Sequence, residues 1–275
     1  MSMKLIQGDC LEVMKALPDN SVDLTVTSPP YDNLRTYNGY VFNFEGIAKQ
    51  LYRVTKEGGV VVWVVGDATI NGSETGTSFK QALYFKEIGF NLHDTMIYRK
   101  SNRQPLNHPR YEQEFEYMFI FSKGKVKTVN LITTKCLNAG KINRGTARNG
   151  GSDTLQKKHG SGKPYKDLKP LGNIWSYAVG TEKDNKGIHP AIFPEQLVHD
   201  HIISWSNEGD TVLDPMMGSG TTGKMARILN RKFIGIEIST EYFDIATRRI
   251  EDTDPLFQAV EVMTVENMEK GRAMP

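Results

Sequence analysis

Two cysteines in 275 residues, Cys10 and Cys136, are too few for a disulfide framework or a cysteine-built zinc site, so a reducing, intracellular setting is expected. No strongly apolar run exceeds the six residues from Val60 to Val65, far short of the roughly 20 that span a bilayer. The start of the chain, Met-Ser-Met-Lys-Leu-Ile-Gln-Gly-Asp-Cys, lacks the charged-then-apolar pattern of a secretory signal, and a cytoplasmic location is the expectation. Neither sign of charge is in excess: 34 Lys and Arg against 32 Asp and Glu leave +2. Both the G-x-G-x-x-G of a dinucleotide site and the Gly-Lys-Ser/Thr of a P-loop are missing, and there is no internal repeat. What remains is ordinary globular composition, 39% hydrophobic and 24% charged, in a chain long enough for one large domain or two small ones.

Strand-like and helix-like segments alternate over residues 1–121. Leu11, Met14 and Leu17 recur at helical spacing, and Val22 to Thr27 reads as a strand stopped by Pro29 and Pro30. Phe44, Ile47, Ala48, Leu51 and Tyr52 form an amphipathic stripe, with Gly58-Gly59 as the expected stop. Val60 to Val65 is apolar and β-branched, as in a strand buried on both faces. A helix over 79–88 and strands over 90–99 and 115–121 follow. Regular alternation resumes after residue 172, with helices over 195–205, 220–229 and 241–250 and strands over 211–213 and 233–238. This pattern predicts an α/β fold on a mostly parallel sheet, with the tail after Pro255 loosely attached.

Between Ser122 and Gly172 the periodicity stops. Twelve Lys and Arg face only Asp153 and Asp167, a net +10, so the other 224 residues carry −8. Such a segment is either a solvated, disordered insertion or a mobile element that binds phosphates, and on its own it does not decide.

Two motifs carry chemistry. Thr211-Val-Leu-Asp-Pro-Met-Met-Gly-Ser-Gly-Thr-Thr222 reads as strand, glycine turn and helix, with Asp214 ending the strand. Glu237 ends the next strand 23 residues on, near the offset at which an acid binds ribose hydroxyls. An acid at that strand end repels a phosphate and suits a cationic, amine-bearing ligand such as S-adenosylmethionine; the competing reading makes Asp214 a helix cap and Glu237 a solvated strand end. In the second motif, Val22-Asp-Leu-Thr-Val-Thr-Ser-Pro-Pro-Tyr31, two prolines hold the backbone extended and donate no hydrogen bond. Their carbonyls and Ser28 remain acceptors beside the ring of Tyr31, a setting for a planar base with an exocyclic amine. Alternatively the prolines mark only a turn or a Pro-rich ligand motif. His199 and His201, two apart on a helix, share no face and make a poor metal site, so no metal is expected. Trp63 and Trp205 are assigned to the core.

Thr-Ser-Pro-Pro-Tyr early and Asp-Pro-Met-Met-Gly-Ser-Gly-Thr-Thr late resemble the amino-group DNA methyltransferases of the permuted β class, over nearly the whole chain. Gly8-Asp9-Cys10, Asn173-Ile-Trp175 and His189-Pro-Ala-Ile-Phe-Pro-Glu195 look like further motifs of that family. The resemblance implies a Rossmann-like, S-adenosylmethionine-dependent methyltransferase fold with permuted motif order: a catalytic half over 1–121, a basic target-recognition insertion over 122–172, a cofactor half over 173–255 and a tail over 256–275. It implies catalytic roles for Ser28, Pro29, Pro30 and Tyr31. It implies cofactor contacts from Asp9, Cys10, Phe193, Glu195, Asp214, Pro215, Gly218, Gly220, Thr221, Thr222 and Glu237. DNA contacts are expected from Arg99, Lys100, Arg103, Arg110, Lys141, Arg144, Arg148, Lys157, Lys158, Lys163 and Lys166.

In that family Ser-Pro-Pro-Tyr is the form associated with the N4 amine of cytosine, and Asp-Pro-Pro-Tyr with the N6 amine of adenine, so N4-cytosine is the first expectation and N6-adenine the alternative. Neither cysteine has the Pro-Cys context of a C5-cytosine nucleophile. A catalytically inactive nucleic-acid-binding protein of the same fold is a more distant reading, and an RNA or protein amine acceptor another. Double-stranded DNA is the implied partner; a cognate restriction endonuclease and a homodimer stay open.

Overall fold

The computed structural model describes residues 2–30, 42–102, 110–148, 155–157, 161–180, 193–253 and 260–264. In chain order the elements are β1 (Met3–Gln7), α1 (Cys10–Ala16), β2 (Val22–Thr27), α2 (Phe44–Val54), β3 (Thr55–Val65), the two-residue strands β4 (Thr69–Ile70) and β5 (Ser73–Glu74), α3 (Thr77–Glu87), β6 (Asn91–Lys100) and β7 (Phe115–Ser122). Then come β8 (Thr133–Lys135), β9 (Thr146–Arg148), β10 (Leu155–Lys157), β11 (Leu168–Pro170), β12 (Ile174–Tyr177), α4 (Glu195–Trp205), β13 (Thr211–Asp214), α5 (Thr221–Ile228), β14 (Lys232–Glu237), α6 (Thr240–Glu251) and β15 (Val260–Thr264). Two compact units result: residues 1–130 with 173–275, and residues 131–172.

The larger unit is built on a nine-stranded sheet in the order β12-β6-β7-β3-β2-β13-β14-β1-β15. Every ladder is parallel except those of β7, which runs antiparallel to β3 and β6. The mostly parallel α/β fold read from the sequence is therefore the fold observed. Val60 to Val65 are at most 1% exposed, as helices covering both faces of a central strand require. Trp63 is fully buried, donates from Nε1 to Gln81 Oε1 at 2.8 Å and packs with Phe44 and Phe85. Trp205 is also core, 5% exposed.

Two local expectations are corrected. Gly58-Gly59 does not stop α2; Thr55 caps it, its N–H and its hydroxyl both donating to the Leu51 carbonyl. The chain enters β3 at once, and Gly58, with φ at +80°, lies inside a strand whose register against β2 shifts between Val22 and Leu24. The tail is not simply loose: Val260–Thr264 extends the sheet by pairing in parallel with Met3–Gln7. Its run Val-Glu-Val-Met-Thr suits a strand but is too short to stand out as one.

The basic segment also differs from its sequence reading. The compact second unit begins at Leu131, not at Ser122, because residues 123–130 remain with the larger unit. Lys123 is a strut there, its Nζ donating to Asn20 Oδ1 and to the carbonyls of Tyr52 and Thr55. Within 131–172 the chain runs out and back as an antiparallel ribbon. β8 pairs with β11 and β9 with β10, and bridges join Ala139 to Tyr165 and Ile142 to Pro164. Asn143 ties the ribbon, its Oδ1 accepting from Gly145 N–H at 2.9 Å and from the Tyr165 hydroxyl at 3.1 Å.

Candidate active site

Four adjacent parallel strands, β2, β13, β14 and β1, bring their carboxyl ends to one rim. From β13 the chain crosses to β14 on one side, and from β2 to β3 on the other, so the strand order reverses between β2 and β13. Open α/β sheets form their ligand crevice at such a reversal.

Asp214 ends β13 and is 3% exposed. It accepts from Thr27 Oγ1 at 2.8 Å and from Met216 N–H at 3.2 Å. Burial pushes its carboxyl up to about 6, and the nearby Glu237 charge acts in the same direction; hydroxyls of Thr222 and Thr27 and the Met216 N–H hold it back. Glu237 ends β14 with one oxygen on Gly218 N–H at 2.9 Å and the other on Ser239 N–H at 2.8 Å. Burial raises its pKa also, against those backbone bonds. Neither acid is a solvated strand end, and Asp214 caps no helix.

The turn between them is held from behind. Gly218 and Gly220 have φ of +50° and +80°, and a Cβ on Gly220 would meet Ala246 Cβ at 2.9 Å. The helix α5 therefore starts without a side-chain cap, and its glycine entry lies close against α6. Arg249 of α6, 8% exposed, donates to the Ser219 carbonyl at 2.5 Å and to Glu195 Oε1 at 3.2 Å. Lys224 reaches the same Glu195 oxygen at 2.7 Å. Glu195, expected to touch the cofactor, has that oxygen committed to a clamp on the turn. Pro215, Thr221 and Thr222 are buried at the turn, and Phe193 lies half-buried just before α4.

At the end of β1, Gly8 N–H bonds the Glu237 carbonyl at 2.9 Å, which places Asp9 and Cys10 beside the β14 rim. Asp9 is the N-cap of α1, its Oδ1 accepting from the N–H groups of Leu11 and Glu12. Cys10 is pushed up to about 12 by burial and the neighbouring Asp9 charge, so its thiol is no nucleophile at neutral pH. At the end of β2, Ser28 and Pro30 are half-buried and Pro29 buried. Tyr31 lies outside the described residues, as do Arg103 and Lys158.

The expected basic face near β6 is largely paired. Lys100 bonds Glu116 Oε1 at 2.7 Å, Arg99 lies 3.3 Å from Glu114, and Arg110 meets Glu74 at 3.9 Å. Glu116 and Glu114 are 16 and 15 residues from Lys100 and Arg99 along the chain, whereas the β6–β7 ladder brings the two segments side by side. Lys100, with 29% of its side chain exposed, is an internal ion pair first. On the ribbon, Lys141, Arg144, Lys163 and Lys166 are exposed; the side chains of Arg148 and Lys157 are outside the description. Sequence reasoning passed over Thr27, Ser219, Lys224 and Arg249. Thr27 and Ser219 stand inside the two motifs without a role of their own, and Arg249 left a signal as a base on the buried stripe of Phe243, Ala246 and Ile250.

His201 is a neutral core residue. Burial lowers it to about 3, Nδ1 accepts from Trp205 Nε1 at 3.3 Å, and Nε2 faces Met118 Sδ. Among the described residues no group of three or more His, Cys, Asp and Glu is placed to hold a metal ion, and no helix is long and apolar enough to cross a membrane.

Parallel strands that reverse order above a glycine turn make this a Rossmann-like α/β protein of the kind that seats a nucleoside-bearing cofactor. Comparison narrows the class. A profile of the DNA methylase family matches residues 22–248. Over 241 residues the chain is 58% identical to the orphan methyltransferase M.BamHII of Bacillus amyloliquefaciens, covering 85% of this chain and 90% of that protein. Its fold matches the PvuII DNA methyltransferase (cytosine-N4-specific) with a TM-score of 0.68 at 20% identity, over 98% of this chain and 92% of the other. It also matches M1.HpyAVI, in a complex with S-adenosylmethionine, with a TM-score of 0.57 at 25% identity, over 90% and 100%. The chain belongs to the DNA methylase family and is an S-adenosylmethionine-dependent DNA methyltransferase acting on amino groups.

Proposed function

We propose that the protein methylates the exocyclic N4 amine of cytosine in double-stranded DNA, on a base turned out of the helix. The observation that carries the choice is Ser28-Pro29-Pro30 at the carboxyl end of β2, directly across the strand-order reversal from Asp214. The fold likeness to the cytosine-N4-specific PvuII enzyme supports it.

The rim fits the donor on chemical grounds. A buried acid suits an ammonium group, and Glu237, its carboxylate fixed by the Gly218 and Ser239 N–H groups, suits ribose hydroxyls. Asp214 and Glu237 would hold it, with Asp9, Cys10, Phe193, Pro215, Gly218, Thr221 and Thr222 at the rim and Glu195 acting through Arg249. When bound, S-adenosylmethionine supplies a methyl group on a positively charged sulfur.

The amine is a poor nucleophile because its lone pair is delocalised into the base. Ser28 Oγ and the Pro29 carbonyl are acceptors for its two N–H bonds, which favours a pyramidal nitrogen and frees the lone pair. Positioning of this sort supplies several kcal/mol. No strong base is needed beforehand, since the amine proton leaves to water after its nitrogen is alkylated. Tyr31 would stack on the base, worth about 1–3 kcal/mol. Because the amine is paired inside the duplex, the base must leave the stack. Exposed bases of the ribbon, Lys141, Arg144, Lys163 and Lys166, take the phosphates, with Arg148, Lys157 and Lys158 of the same segment and Arg99, Arg103 and Arg110 of the larger unit. The work takes place in the cytoplasm, where donor and DNA meet; a dedicated restriction endonuclease and a homodimer are not required by this chemistry.

Incubation with DNA and donor, followed by digestion to nucleosides and mass spectrometry, tests the target. N4-methylcytosine is the expected product. N6-methyladenine in its place overturns the cytosine assignment and leaves the methyltransferase intact.

A further inference from the structure

Backbone pairing between β2 and β13 covers two rungs, Leu24 with Val212 and Thr25 with Leu213. Beyond them the strands carry different loads, Ser28 on one and Asp214 on the other. The bond that spans this gap is a side-chain bond, Thr27 Oγ1 to Asp214 Oδ1 at 2.8 Å, buried on both sides. Thr27 is fully buried and directly precedes Ser28. It opens the Thr-Ser-Pro-Pro-Tyr run, but the sequence gives it no role of its own there, and core packing alone would be served as well by valine.

We propose that Thr27 is a positioning residue: its hydroxyl holds the Asp214 carboxylate, in charged form, for the cationic end of the methyl donor. The inference rests on the donor-site reading above. A serine or threonine hydroxyl donates one hydrogen bond, and donated to a carboxylate it favours the ionised form. Asp214 needs that help. The groups facing it are the hydroxyls of Thr27 from β2 and Thr222 from α5, the Met216 N–H, and the like charge of Glu237 from β14. Burial opposes ionisation, and Thr222 is shared, its hydroxyl also lying 3.4 Å from the Val26 carbonyl. Because Glu237 titrates beside Asp214, the binding midpoint belongs to the pair, and a variant of one member is read as a shift of that joint midpoint.

Calorimetry of the full chain with S-adenosylmethionine between pH 5.5 and 8.5 tests this, with native protein, Thr27→Val and Thr27→Ser compared at each pH. Loss of a hydrogen bond to a charged group moves the midpoint up by about one to two pH units. Thr27→Val should therefore bind roughly tenfold more weakly than native at pH 6, with the ratio closing toward one by pH 8.5. Thr27→Ser should track the native curve. If valine does not fold, Thr27→Ala serves for the same comparison. A deficit that is constant across pH, or one that serine does not repair, overturns the positioning role. Absence of donor binding by the native chain at every pH would overturn the donor-site reading itself, and so separates the two failures.

Discussion

At the scale of single residues, the site depends on acids kept out of water. Asp214 is raised to about 6 from an ordinary value near 3.8, so folding favours its protonated form relative to the unfolded chain. The unfolded chain releases that proton first as pH rises. Its contribution to stability is therefore fully present below about pH 4 and is lost as pH climbs through about 6, by up to about 3 kcal/mol. Urea melts at pH 4 and 7 should show Asp214→Asn gaining stability relative to native at the higher pH; a difference independent of pH contradicts the burial argument. Gly220 is constrained differently. Its positive φ and the approach of Ala246 predict that Gly220→Ala costs about 2–3 kcal/mol in the same melts, and a loss under about 0.5 would mean the turn relaxes freely. Both acids were legible from the sequence because they end strands ahead of turns. The role of Thr27 was not, since the residue stands in the Thr-Ser-Pro-Pro-Tyr run but its partner Asp214 is 187 residues away.

At the scale of elements, periodicity exposed what is long and half-buried and missed what is short. α4 falls where its stripe placed it, Glu195–Trp205. β1, five residues with only Met3, Leu5 and Ile6 buried, has too little pattern to read, and β15 becomes a strand only because β1 is there to pair with. The ribbon is the clearest case. Its strands are three residues long, and β8 and β11 are mostly exposed, so no alternation marks them, and their order comes from cross-chain hydrogen bonds that local sequence does not encode. Its exposed bases give an electrostatic prediction. Replacing Lys141, Arg144, Lys163 and Lys166 by glutamine should weaken duplex binding and reduce the log–log salt slope by about 0.9 for each phosphate that is no longer neutralised. An unchanged slope from binding titrations at several salt concentrations would remove the ribbon from the DNA interface.

At the scale of the whole molecule, the near-neutral total conceals two populations of charge. The sequence places +10 in residues 122–172, and the observed unit, residues 131–172, retains nine bases against two acids. Lys123, a structural tie, stays with the larger unit together with Lys125 and Lys127, so that unit carries −5 rather than −8, and its bases near β6 are matched by acids. Motif order along the chain matters less than strand order in the sheet. Ser28, proposed to hold the target amine, and Asp214, proposed to face the donor, are 186 residues apart in sequence, yet their strands are neighbours. That adjacency is the centre of the account, with target amine on one side of the reversal and methyl donor on the other. The direct test is Ser28→Ala under saturating donor, with transfer of labelled methyl to duplex DNA and donor affinity measured on the same preparation. The account predicts that turnover falls on the order of a hundredfold while donor Kd stays within about twofold of native. Equal loss of turnover and donor affinity, or full activity, would contradict it.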